Sequence, residues 1–91
     1  MSTPEEIAFT DRVKAILDIS NTQSETAIPE NVAMSSLYAA ARYCAFVCTR
    51  ANGSGAEMAA RRDEAMEIFG RQFSEMFMTC YDEFARQFPK A

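Results

Sequence analysis

The chain has 91 residues, which is enough for one domain with a thin core. Apolar residues make up 48% of it, yet it holds only three glycines and three prolines. So few turn residues exclude a β-sandwich, which needs a turn signal every ten residues or so, and they favour long helices. Nine basic residues against thirteen acidic ones give a net charge of −4, and the only lysines are Lys14 and Lys90. That balance argues against nucleic-acid and anionic-membrane partners, which are held by clusters of Lys and Arg.

The first helix, expected over about residues 4–20, opens on Thr3-Pro4-Glu5-Glu6. This is a capping box: the Thr hydroxyl accepts the Glu6 amide while Glu6 reaches back. Pro4 takes the first helical position, where its missing N–H costs nothing. Phe9, Val13, Ile16, Leu17 and Ser20 share one face; Asp11, Lys14 and Asp18 share the other. The same opening residues form neither the basic nor the apolar region of a signal peptide, so the expected compartment is the cytoplasm, with reduced thiols.

Residues 21–30 are polar and read as a loop, with Pro29 and Asn31 as rival starts for the second helix. That helix is expected over about 31–50. Leu37, Ala41, Cys44 and Cys48 line one face, while Ala39, Ala40, Tyr43, Phe46 and Val47 line another. The polar wedge between them is narrow: Ser35, Arg42 and Thr49. A helix apolar nearly all round is normally buried on both sides. It is not read as a membrane span, because Arg42 lies near the centre of its longest apolar run.

Asn52-Gly53-Ser54-Gly55 ends this helix, with an expected left-handed residue satisfying the last carbonyls. Ser54 and Glu57 suggest a second capping box. A third helix is expected over about 55–88, stopped before Pro89. Met66, Phe69, Phe73, Met76 and Cys80 step by three and four, after which the apolar stripe shifts to Phe77, Tyr81, Phe84 and Phe88. Gly70 is a candidate bend. Ile68 and Met78 are apolar residues stranded on the polar side.

Catalytic and metal chemistry finds little support. The chain has no histidine, so Ser-His-Asp and Cys-His sets and Glu-x-x-His di-iron motifs are excluded. The Gly53 turn lacks the spacing and the Lys of a phosphate-binding loop. Cys44 and Cys48 share a helix face, and Cys80 lies on the stripe of the third helix. No tight zinc spacing joins them, so they read as small buried hydrophobes. No cofactor and no enzymatic activity are expected.

Arg42 is the charge that most needs an explanation. In a buried helix it requires a partner, for which Asp18, Glu64, Glu67 and Glu75 are candidates. It is therefore the candidate buried ion-pair or ligand residue.

The two-sided apolar surface of the second helix and the length of the third both point to burial against a second copy of the chain. The candidate interface is Tyr43, Phe46, Val47, Ile68 and Met78.

The segment Ala41-Arg42-Tyr43 followed by Ala45-Phe46-Val47 resembles a small proteobacterial family known only as a domain of unknown function. A second block is also similar: Arg61-Arg62-Asp63-Glu64, Phe69, Gln72-Phe73, Met76 and Tyr81-Asp82-Glu83-Phe84. Cys44 departs from the polar residue expected there. The resemblance implies a helical, cytoplasmic bacterial protein and no activity. The sequence thus predicts a single all-α domain over 1–91: three helices, the last long, forming a bundle completed by a homodimer. The expected function is an interaction or structural module that self-associates. The rival expectation is a small apolar or anionic ligand bound between the second and third helices near Arg42.

Overall fold

The computed structural model describes residues 1–89, so Lys90 lies outside the described residues. It is all-helical, with four helices rather than three: α1 Pro4–Gln23, α2 Pro29–Thr49, α3 Gly55–Ala60 and α4 Arg62–Gln87. The chain divides into two compact units, Met1–Tyr43 and Cys44–Ala91.

The capping box opens α1. The Glu6 amide donates to Thr3 Oγ1 at 3.1 Å, and the Thr3 amide donates to Glu6 Oε1 at 3.1 Å. These bonds hold the Glu6 carboxyl below its ordinary range, first through the Thr3 backbone amide and then through the Thr3 side chain. A lowered folded value means the cap is complete above the ordinary carboxylate range and is lost as pH falls through the lowered value. Acidification is therefore expected to fray the first turn of α1. NMR should show Glu6 titrating below an ordinary glutamate and returning to normal in Thr3→Ala. An unshifted Glu6 in the native chain would sink this.

α1 runs three residues past its expected end. The hydroxyls that mark residues 20–24 as loop-like bond back onto their own helix instead. Thr22 Oγ1 donates to the Asp18 carbonyl and Ser24 Oγ to the Ser20 carbonyl, both at 3.0 Å. Pro29 starts α2, and the Ile28 carbonyl accepts the Asn31 and Val32 amides at 2.9 and 3.2 Å.

Within Met1–Tyr43, α1 meets α2 on one narrow stripe. Ser20 Oγ lies 3.3 Å from Ser36 Oγ. Val32, one turn before Ser36 on the same face, is the one buried apolar residue among the described ones, at 6% exposure. The expected two-sided burial of α2 is not supplied by the chain itself. In this unit α1 is the only helix available to cover α2, and one helix covers one stripe.

The expected third helix breaks at Arg61, not at Gly70. Arg61 has φ −102° and ψ 11°, and its amide is shared between the Glu57 and Met58 carbonyls at 3.2 Å each. α4 then runs unbroken through Gly70 for 26 residues, about 39 Å at 1.5 Å per residue. It ends as expected before Pro89. Phe88 is extended, as a residue before proline prefers, and its amide donates to the Phe84 carbonyl at 2.9 Å.

Candidate functional site

The α2–α3 connection is held by side chains and not by a left-handed residue. No described residue, glycine included, has a positive φ. Asn52 Nδ2 instead donates to the Cys48 carbonyl at 2.7 Å, which also accepts the Ala51 amide at 3.1 Å at the end of α2. Ser54 Oγ accepts the Glu57 amide at 3.1 Å, and Glu57 Oε2 accepts the Gly53 amide at 3.2 Å. The second capping box thus reaches one residue further back than the standard pattern.

Arg61, at the break, ties this corner together. Its guanidinium donates to Asn52 Oδ1 at 3.2 Å and to Glu64 Oε1 at 3.4 Å, and lies 4.0 Å from Glu57 Oε1. One side chain therefore spans the loop, α3 and the start of α4. The sequence reading missed this role. Its signal was present in the spacing, since Arg61 stands four residues after Glu57 and three before Glu64.

These same elements enclose an open hollow of about 680 Å³ within Cys44–Ala91. Its walls are mostly small or apolar: Ala45, Val47, Cys48 and Ala51 from the α2 end, Met58 and Ala59 from α3, and Ala65, Ile68 and Phe69 from α4. Arg61, Arg62, Glu64 and Asn52 add polar groups to the lining.

Arg42 has no part in this lining. The expectation that it is buried is corrected: it is exposed and makes no ion pair among the described residues. An exposed guanidinium is solvated by water and needs no partner inside the fold. Two of its expected partners are engaged locally, Glu64 by Arg61 and Glu67 by Arg71 at 2.7 Å.

The five candidate interface residues are all exposed: Tyr43, Phe46, Val47, Ile68 at 54% and Met78 at 57%. Val47 and Ile68 both line the hollow; Met78 is not part of its lining. The larger surface is the apolar stripe of α4. Met66, Phe69, Phe73, Met76, Phe77, Tyr81 and Phe84 are every one exposed, from 39% at Phe69 to 72% at Phe84. Phe73 stacks on Phe77 with ring centres 5.8 Å apart, and Phe77 meets Tyr81 at 5.7 Å. These i, i+4 pairs make a continuous aromatic ridge.

The thiols of Cys44, Cys48 and Cys80 are free, the first two half-buried and the third exposed. Among the described residues no three Cys, Asp or Glu side chains gather as a metal-ligand set. Among them, too, no helix is long and apolar enough to cross a membrane.

Comparison with known proteins gives no match among curated proteins and none among solved structures. The model of the family described as "Protein of unknown function (DUF3144)" matches residues 9–85, and the chain belongs to that family.

Proposed function

We propose that the chain is a non-catalytic interaction module that works as a homodimer, joined through the apolar faces of α2 and α4. One observation carries this reading. The apolar stripe of α4, from Met66 to Phe84, stands exposed along the helix, and Phe73, Phe77 and Tyr81 form on it a continuous aromatic ridge of the kind a second copy covers. The absence of histidine from the sequence supports a role without catalysis, and the net charge of −4 supports a protein partner over a nucleic acid or a membrane. The same reading keeps the protein in the cytoplasm.

The ligand reading has weaker support. It needs Arg42 beside a pocket between α2 and the following helices, and Arg42 is absent from the lining of the hollow. Light scattering is expected to return about 20 kDa, twice the 10.2 kDa of one chain. A mass of one chain at every concentration would overturn the proposal.

A further inference from the structure

Asn52-Gly53, in the α2–α3 connection, is a pair at which a chain can modify itself. Deamidation begins when the amide nitrogen after an asparagine attacks that asparagine's side-chain carbon and closes a cyclic imide. A side chain on the following residue holds it back by crowding the nitrogen. A helix holds it back by fixing the backbone away from ring closure. The three asparagines of the chain differ on both counts. Asn21 and Asn31 lie inside α1 and α2 and precede the β-branched Thr22 and Val32. Asn52 lies outside the helices and precedes a glycine.

The neighbours of Asn52 match what the reaction needs. The Gly53 amide, which carries the nucleophile, donates to Glu57 Oε2 at 3.2 Å. That is within reach of a general base. Asn52 Oδ1 accepts from Arg61 Nη1 at 3.2 Å. A guanidinium there stabilises the negative charge that grows on Oδ1 as the nitrogen attacks. The base is itself positioned. Ser54 Oγ accepts the Glu57 amide at 3.1 Å, and Glu57 Oε1 lies 4.0 Å from Arg61 Nη1, so one carboxylate faces guanidinium and nucleophile together. A Cβ on residue 53 would stand 3.3 Å from Glu57 Oε2, so glycine leaves room for the base. Asn52 is half-buried while Gly53, Glu57 and Arg61 are exposed, so water reaches the site.

We propose that this corner is a self-deamidating site, in which Glu57 acts as base and Arg61 as oxyanion donor for the conversion of Asn52 to aspartate or isoaspartate. The Gly53 nitrogen bonds to Asn52 Cγ while its proton passes to Glu57. The Cγ–Nδ2 bond breaks, and Nδ2 leaves as ammonia with its own two hydrogens and a proton returned from Glu57 through water. A water molecule then opens the ring. Its addition at Cγ gives aspartate, and its addition at the main-chain carbonyl gives isoaspartate. No oxidant or reductant is consumed. The product alters the joint it sits in. A carboxylate cannot donate, so the 2.7 Å bond to the Cys48 carbonyl is lost, while Arg61 gains a further carboxylate partner. Isoaspartate also lengthens the main chain between α2 and α3 by one carbon. The chain acts on itself once, so this reading stands apart from both enzymatic turnover and self-association.

Ammonia release and peptide mapping of the full chain at neutral pH test it. Asn52 of the native chain is expected to deamidate at least about tenfold faster than in the same chain unfolded by guanidinium chloride, which is below the usual contribution of a positioned acid or base. Asn21 and Asn31 should stay intact in the same digest. Glu57→Gln keeps an acceptor for the Gly53 amide but removes the base, and Arg61→Ala removes the oxyanion donor. Each is expected to slow the native rate several-fold, with helix content checked by circular dichroism. The same bonds could instead lock Asn52 away from ring closure. A native chain no faster than the unfolded one, or variants that deamidate faster than the native chain, would show that and overturn the proposal.

Discussion

Phe77→Asp is expected to convert the proposed dimer to a single chain of about half the mass. Phe77 sits in the middle of the aromatic ridge, between Phe73 and Tyr81, and is 54% exposed in one chain. An exposed aspartate costs the isolated helix little. In a dimer the same position lies inside the interface twice. Each copy loses the burial of a large apolar side chain, worth about 1.5–3 kcal/mol. Each also places a carboxylate in an apolar contact, which adds at least as much. The sum over both copies exceeds about 5 kcal/mol, or more than a thousandfold in the dissociation constant. Sedimentation equilibrium measures it directly. Glu75→Lys, on the polar face of the same helix, is the control and should leave the mass unchanged. A Phe77→Asp chain that remained dimeric at low concentration would show that the ridge is not the contact.

Val32→Ala is expected to act in the opposite manner, lowering stability without changing mass. Val32 is covered within its own chain at 6% exposure, one turn before Ser36, whose hydroxyl lies 3.3 Å from that of Ser20 on α1. Losing two buried methyl-sized groups costs about 1.6 kcal/mol of transfer free energy, and an unrelaxed cavity raises this towards about 2 kcal/mol. Chemical denaturation should show the midpoint move while light scattering stays constant. A shift in mass would place Val32 in the interface and not in the α1–α2 contact. A negligible shift in stability would mean that α1 and α2 are not held together there.

Helix chemistry close to the backbone was legible in the sequence. Thr3, Pro4 and Glu6 specify a start, and Pro89 specifies a stop, because each acts through bonds to residues within one turn. The hydroxyl-rich end of α1 was misread, since Ser and Thr serve a loop and a back-bonded helix end equally well. The break at Arg61 carries no glycine or proline to announce it. It depends on a side chain bridging three segments at once, which a wheel projection of one helix does not display. Arg42 was misplaced for a related reason. An apolar sequence marks surface that ought to be covered, but it does not say whether the cover comes from the same chain. The exposed stripe of α4 and the exposed Arg42 are two results of that one ambiguity. Tyr43, Phe46, Val47, Ile68 and Met78 were picked out on the expectation of a partner, and their exposure in the single chain keeps that role open to test.

The Arg61 corner gives the protein two opposed responses to salt. Its bonds to Asn52, Glu57 and Glu64 are held by a guanidinium that is 45% exposed. Ions screen such contacts over about 8 Å at physiological ionic strength, so added salt slackens the joint between α3 and α4. Apolar association moves the other way, because sulfate and phosphate strengthen burial. In the proposed dimer, rising salt would therefore tighten the grip between copies while loosening the wrist behind it. The lining of the hollow includes Arg61 itself, so the shape of the hollow becomes a function of ionic strength.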